Sequence, residues 1–231
     1  MVSVIIVAAG ASVRMEGVNK QLAKIGDTPV FVMSALKFER SEKVGEIIIA
    51  APADEVARYE KLARNFGVTK LKAVTAGGET RMLSVKNALE SVSARADFIA
   101  VHDGARPLIS TEDIDRVLSD AERYDAAIAA APSSDTIKVV GSNGFIEETV
   151  PRKKTYCAQT PQVFRRELYT ECLEKLGSRA ADVTDDSSIV EMCGKYVKIT
   201  EIRSCNMKIT RPEDLEMANA VFMNRKTVKM I

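Results

Sequence analysis

Two cations lying just beyond a run of small side chains are the first chemistry this sequence offers. Val4 to Lys20 reads V-I-I-V-A-A-G-A-S-V-R-M-E-G-V-N-K. Ala8, Ala9, Gly10, Ala11 and Ser12 are small enough for backbone N–H groups to approach a ligand, while Arg14 and Lys20 can meet anionic oxygens. The combination suits a phosphate chain, although many α/β proteins open on a strand and a tight turn that bind nothing. The Walker pattern and the three-glycine dinucleotide fingerprint are both missing, so any phosphate is held by a loop of another design.

Three further stretches carry chemistry-bearing residues. A-G-G-E-T-R-M-L-S-V (Ala76 to Val85) has two glycines for close backbone approach, with Arg81 and Ser84 at or near a helix start where they can contact a base or sugar. An ordinary glycine turn fits the same letters. H-D-G-A-R-P (His102 to Pro107) ends a strand with a carboxylate beside a glycine and an arginine. There Asp103 suits Mg²⁺ or a ribose hydroxyl, and Arg106 an acidic group. His102 reads as a packed, hydrogen-bonded histidine and not as a catalyst. Lys208, in N-M-K-I-T-R-P-E-D-L, stands just before a final helix begun by Arg211 and Pro212, where it can reach a phosphate or face water.

These loops need a scaffold, and the hydrophobic pattern supplies one. Short apolar runs at Val4–Val7, Val44–Ala51, Leu71–Thr75, Phe98–Val101 and Ala126–Ala131 alternate with amphipathic segments at 29–38, 54–65, 82–92 and 110–124. Such alternation predicts an open, mostly parallel sheet with right-handed crossovers and helices on both faces, its ligands at the carboxyl ends of the strands. The period then changes: Thr136–Val140 and Phe145–Val150 flank the turn Gly141-Ser142-Asn143-Gly144, a hairpin inserted into the α/β pattern. The chain returns to the core at Cys157–Phe164, and a helix follows over 166–176. A capped helix over 183–192 has Thr184 as its N-cap, and a last strand covers Lys195–Arg203. The expectation is one domain over 1–231 with 136–156 as a protruding β-arm that packs on something, a second subunit included.

With 46% hydrophobic residues the 231-residue chain can fill a core, and 33 basic against 32 acidic residues leave a formal charge of +1. No global field draws it to nucleic acid or an anionic membrane, so an anion site must be a local cluster. No stretch approaches a membrane span, and Cys157, Cys172, Cys193 and Cys205 lack metal-ligand spacing. Reduced thiols in a cytoplasm are expected. A single histidine excludes a histidine-dependent triad or a multi-histidine metal centre.

Taken in order, A-A-G-A-S-V-R-M with Lys20 and Gln21, G-G-E-T-R-M-L-S-V, H-D-G-A-R-P, D-T-I-K, T-V-P-R, Q-T-P-Q-V-F, T-D-D-S-S and N-M-K-I-T-R-P-E-D closely resemble the 2-C-methyl-D-erythritol 4-phosphate cytidylyltransferase family, across almost the whole chain. The resemblance implies a Rossmann-like nucleotidyltransferase fold and Mg²⁺-dependent transfer of a cytidylyl group from CTP to a sugar-alcohol phosphate. It implies that Arg14, Lys20, Lys208 and Arg152 are catalytic, and that Ala8, Ala9, Gly10, Gly78, Glu79, Ser84 and Asp103 hold the nucleotide. Asp103 would also meet the metal. Arg106, Thr160 and Thr184 would contact the acceptor, joined by Thr136 and Arg152 from the partner's arm in a homodimer.

The chemistry agrees with the residue inventory. A phosphomonoester with a second pKa of about 6 is already an ionised nucleophile, so no strong base is required and positioning plus charge neutralisation suffice. Two positions depart from the family pattern, Ser12 where many members carry a second loop glycine and Asn19 where proline is usual, and both bear on the stiffness of the loop; Glu79, where aspartate also occurs, should change little. A sister enzyme acting on ribitol 5-phosphate would keep the CTP half and differ around Thr136, Arg152 and Thr184; T-V-P-R favours the methylerythritol acceptor. A non-catalytic nucleotide-binding module would not need Arg14, Lys20, Asp103 and Lys208 together. A nicotinamide dehydrogenase fails on the missing glycine fingerprint.

Overall fold

The computed structural model describes residues 1–15, 17–177 and 183–228. The first strand, β1 (Val2–Val7), lies in the interior of the sheet, and every side chain from Val2 to Ile6 is buried, as a strand covered on both faces requires. A small ribbon of β2 (Lys24–Ile25) and β3 (Thr28–Pro29) follows it. Then come α1 (Val30–Glu39), β4 (Val44–Ala51), α2 (Val56–Asn65), β5 (Leu71–Ala76), α3 (Arg81–Leu89), β6 (Phe98–Asp103), α4 (Thr111–Tyr124) and β7 (Ala126–Pro132). The second half adds β8 (Lys138–Val140), β9 (Ile146–Thr149), β10 (Tyr156–Arg165), α5 (Arg166–Leu176), α6 (Asp186–Met192), β11 (Lys198–Glu201) and α7 (Pro212–Val228).

Among the described residues seven strands form the main sheet in the order β11-β7-β10-β6-β1-β4-β5. The pairs β1–β4, β1–β6, β4–β5 and β7–β11 are parallel. The expected open, mostly parallel sheet is therefore present, with one addition the pattern did not specify. β10 runs antiparallel to both β6 and β7, because the hairpin excursion returns the chain from the opposite end of the sheet. Alternation along β1 divides the core: Val4 and Ile6 face Phe31, Phe38 and Leu118, while Ile5 faces Val85, Phe164, Tyr169 and Ile189.

A third, smaller cluster bears directly on function. Met15, Ile25, Val30, Met33, Ala105, Leu108, Ile209 and Ala218 pack together beneath the first loop. Ile209 also donates its N–H to the Ala105 carbonyl at 2.8 Å. One apolar plug thus ties together the segments bearing Arg14, Arg106 and Lys208.

The hairpin β8–β9 pairs outside the main sheet and leaves Val140, Phe145 and Ile146 exposed. Several boundaries differ from expectation, α3 ending at Leu89 and β8 beginning at Lys138 among them. β11 is limited to four residues of the Lys195–Arg203 run. The N-cap of α6 is Asp185, not Thr184: the Asp185 carboxylate accepts the Ser188 N–H at 3.1 Å, so the helix starts one residue later. An aspartate and a threonine are both good caps, and adjacent candidates cannot be told apart by composition.

Ile209 is fully buried. Ile209→Ala is expected to cost about 2–4 kcal/mol, read as a lower urea midpoint at unchanged slope. A loss below about 1 kcal/mol would show that the plug is not what holds these loops.

Candidate active site

The loops after β1, β5 and β6 meet at the carboxyl end of the sheet, as a parallel α/β arrangement dictates. A cleft of about 400 Å³ lies between them, lined by Ala9, Gly10, Lys20, Gly78, Glu79 and Ser84 among others. A second cavity of about 260 Å³ adjoins it, lined by Arg106, Thr160, Gln162, Thr184 and Asp185. Arg81, Asp103 and Lys208 line both.

The walls of the cleft are built by close approach. A Cβ on Gly77 would lie 2.2 Å from that of Ala9, and one on Gly78 would lie 2.4 Å from Leu83 Cβ, so neither position admits a side chain. Ser84 is buried and closes this turn, accepting the Gly78 N–H at 3.1 Å and donating to the Thr80 carbonyl at 3.0 Å. Thr80 caps α3 by accepting the Leu83 N–H. Ala8 is fully buried and lines neither cavity, its own N–H being spent on the Ala50 carbonyl.

The first loop explains two departures noted in the sequence. Ser12 takes a left-handed φ of 54°, a region glycine enters freely, and its hydroxyl accepts the Lys20 N–H at 3.2 Å. The serine thus cross-links the loop it strains. Asn19, in place of a proline, accepts the Gln21 N–H through Oδ1 at 3.0 Å, a side-chain turn that fixes the same corner. Arg14 is exposed on a short 3-10 turn, Val13–Met15. Lys20 is half-buried; burial lowers its pKa, and the neighbouring positive charges of Lys208 and Arg14 add to the effect.

Asp103 is the electrostatic centre. Its carboxylate meets Lys208 Nζ at 2.8 Å, Arg81 Nε at 3.2 Å and Arg106 Nε at 3.5 Å. Burial alone would raise its pKa, but the charges of Arg81, Lys208 and Arg106 outweigh that and hold it well below the usual carboxylate range. Arg106 also donates to the Asn206 carbonyl at 2.8 Å. Its pKa is lowered by burial, which Asp103 only partly offsets.

His102 and Thr160 support this centre from below. The Asp103 N–H donates to Thr160 Oγ1 at 3.0 Å. The Arg106 carbonyl can only accept, so His102 Nε2–H donates to it at 3.2 Å, and Nδ1 of the neutral ring accepts the Thr160 hydroxyl at 3.1 Å. The tautomer follows from that chain of donors. Burial pushes the His102 pKa down to about 4, so the ring is neutral and structural.

The remaining sequence candidates divide. Thr184 is exposed at the second cavity. Thr136 and Arg152 are exposed on the arm, where Arg152 Nη2 donates to Thr136 Oγ1 at 3.3 Å, and they line neither cavity. Asp186, Tyr169, Gln162 and Asn206 were not singled out as functional by sequence. The one signal for them in sequence is general: a tyrosine in an apolar helix face needs a partner for its hydroxyl.

No group of three or more His, Cys, Asp and Glu able to hold a metal occurs among the described residues. Among them, no helix is long and apolar enough to cross a membrane.

Comparison with known proteins agrees along the chain. Residues 2–224 match the model of the family described as "IspD: 2-C-methyl-D-erythritol 4-phosphate cytidylyltransferase". A protein of that name from Geobacillus kaustophilus is 39% identical over 223 residues, 96% of each chain. One from Syntrophus aciditrophicus is 37% identical over 218 residues, 94% of this chain and 93% of its own. The crystal structure of the 4-diphosphocytidyl-2C-methyl-D-erythritol synthase from Anaerococcus prevotii superposes with a TM-score of 0.85 at 28% identity, covering 96% of this chain and 98% of that one.

His102 is the chain's only histidine, and its pKa is lower folded than unfolded. The unfolded chain therefore binds the extra proton first, and stability falls as pH drops from about 6.5 toward 4. Urea unfolding at pH 5 against pH 7 is expected to show about 2 kcal/mol of His102-dependent loss, absent from His102→Gln. An equal loss in the variant would assign the effect elsewhere.

Proposed function

Because the chain belongs to the 2-C-methyl-D-erythritol 4-phosphate cytidylyltransferase family, we propose that CTP and the acceptor lie in the two adjoining cavities, on either side of Asp103. The reaction transfers CMP from CTP to 2-C-methyl-D-erythritol 4-phosphate, giving 4-diphosphocytidyl-2-C-methyl-D-erythritol and pyrophosphate in non-mevalonate isoprenoid biosynthesis. The observation that carries the assignment of the site is the 2.8 Å contact of Lys208 with Asp103 where the two cavities meet.

In this reading the Ala9–Gly10 backbone, Gly78, Glu79 and Ser84 frame cytosine and ribose, and Ala8, buried just before Ala9, supports that backbone. Arg14, Lys20 and Lys208 receive the triphosphate. An acceptor phosphate oxygen attacks the α-phosphorus, a new P–O bond forms, and the bond to the β-phosphate breaks, releasing pyrophosphate with its electron pair. Charge accumulates on the oxygens of the transferring phosphorus, where fixed cations act with little reorganisation. The oxygen nucleophile is already ionised, so no proton has to be removed by His102.

Mg²⁺ fits the donor set in one way. Asp103 offers a single ionised carboxylate, and Mg²⁺ is commonly held by one or two carboxylates together with substrate phosphates. Asp103 would hold it, and the ion would add positive charge at the triphosphate.

Arg106, Thr160 and Thr184 flank the acceptor in this reading. Thr160 does so as backbone and support, its hydroxyl being committed to Asp103 and His102. Thr136 and Arg152 reach an acceptor from a partner's arm in a homodimer. The exposed Val140, Phe145 and Ile146 on a two-stranded hairpin support that arrangement, since such a ribbon is marginal alone in water.

Pyrophosphate release with Mg²⁺ and CTP tests the acceptor: release with methylerythritol 4-phosphate and none with ribitol 5-phosphate is expected, and the reverse would overturn the acceptor assignment. Arg14→Ala and Lys20→Ala are each expected to lower kcat about a hundredfold with folding intact, by analogy with loss of one oxyanion donor. Normal turnover would remove that residue from the mechanism. Mixing Lys20→Ala with Arg152→Ala protein under subunit exchange is expected to restore activity, since a mixed dimer has one site free of both changes. Mixtures as inactive as either parent would sink the contribution in trans.

A further inference from the structure

Arg81 is shared between two carboxylates, and only one of them faces the cleft. Its Nε meets Asp103 at 3.2 Å, and its Nη1 meets Asp186 at 2.6 Å. Asp186, the first residue of α6, is fully buried, and its other oxygen accepts the Tyr169 hydroxyl at 2.6 Å. Tyr169 is itself fully buried on α5, its ring stacked on Phe164 with centroids 4.8 Å apart. The start of α6 is pinned to β10 as well, because Gln162 donates to Asp185 at 2.8 Å and accepts the Ser187 N–H at 2.9 Å. A rigid line therefore runs from Phe164 through Tyr169, Asp186 and Arg81 to Asp103.

We infer that Asp186 is a positioning residue for cytidylyl transfer, acting through Arg81 to hold the Asp103 carboxylate in one orientation and to prevent Arg81 from closing on it as a two-pronged pair.

Geometry and charge both require such an anchor. A guanidinium offers a planar fork matched to one carboxylate, and a half-buried arginine with Asp103 as its sole partner would take both oxygens. Asp186 draws one prong away and balances its charge, so one Asp103 oxygen meets a single Arg81 nitrogen while the other, which Arg106 Nε approaches only at 3.5 Å, is left to Lys208. Lys208, whose side chain is 38% exposed, meets that other oxygen from the cleft. Lys208 is thus the cation free to move from carboxylate to incoming phosphate, and Arg81 is the one that stays. The high pKa of Arg81, raised against burial by Asp186 and then Asp103, agrees with a permanent charge in this place.

This inference rests on the reading of Asp103 as part of the CTP site, and the test separates the two. Asp186→Asn, Asp186→Glu, Arg81→Lys and Asp103→Asn are assayed for kcat and KM with both substrates. CTP binding is followed calorimetrically as Mg²⁺ is raised, and urea unfolding reports the fold. Asp186→Asn is expected to lower kcat about ten- to a hundredfold, the range seen when an outer support of a site is removed, with KM for the acceptor within about threefold. It should raise the Mg²⁺ concentration at half-maximal CTP binding severalfold. Asp186→Glu should recover most of both, whereas Arg81→Lys, which cannot span two carboxylates, should reproduce both defects and serves alone if Asp186→Asn does not fold. Wild-type kcat and Mg²⁺ dependence in folded Asp186→Asn or Arg81→Lys, whatever the loss of stability, would overturn the inference while leaving the Asp103 reading intact. An Asp103→Asn enzyme with wild-type activity would overturn the reading and the inference together.

Discussion

A buried carboxylate surrounded by three cations is the constraint on which the rest of the site depends. Asp103 ends β6 at the centre of the sheet, and Arg81, Arg106 and Lys208 reach it from three separate segments. Desolvation of so many charges makes such a cluster a weak source of stability, because Coulomb attraction roughly repays what burial costs. What the cluster does provide is geometry: without the Asp103 carboxylate, three like charges would face each other. It also stores positive charge before any phosphate arrives. In a chain with a formal charge of +1, no long-range field concentrates nucleotide, and selection falls to this local arrangement.

Packing aims these charges. Arg14 and Lys208 each stand next to a buried apolar residue, Met15 and Ile209, and both residues belong to the plug that contains Ala105 from the Asp103–Arg106 turn. Methyl groups in contact thus set the spacing of cations that do not touch. That spacing matters in phosphoryl chemistry, where a misplacement of about 1 Å is enough to cost two orders of magnitude in rate. The first loop is stiffened by polar means as well. Ser12 occupies a backbone region suited to glycine and recovers some of that strain by binding the Lys20 N–H. Asn19 replaces the restriction of a proline ring with a side-chain turn.

The sheet was legible in the sequence because β1, β4 and β6 are covered on both faces and so read as unbroken apolar runs between amphipathic helices. The same logic located the cleft, since loops after parallel strands share one end of the sheet. Other features lay outside what periodicity can encode. The antiparallel direction of β10 depends on where the hairpin returns the chain, not on its own residues. Asp186 and Thr184 sit two residues apart in one motif, yet the first is enclosed and the second faces the smaller cavity, a difference set by Tyr169 from another helix. Arg81 was visible as a cation near a helix start, but its division between Asp103 and Asp186 joins residues 22 and 105 positions away.

The use made of the only histidine follows from the chemistry. A neutral imidazole with a pKa near 4 is a poor base at physiological pH, and His102 is walled in by Phe38, whose ring centroid lies 4.8 Å away. Its two nitrogens instead link the Thr160 hydroxyl to the Arg106 carbonyl, fixing the turn that presents Arg106. An enzyme that had to deprotonate an alcohol could not leave its histidine so placed without another base. A phosphate acceptor removes that need, because the nucleophile arrives ionised. The titratable machinery can then consist of permanent charges, with lysine and arginine against one aspartate, and the histidine is released to serve as a hydrogen-bonded strut beneath them.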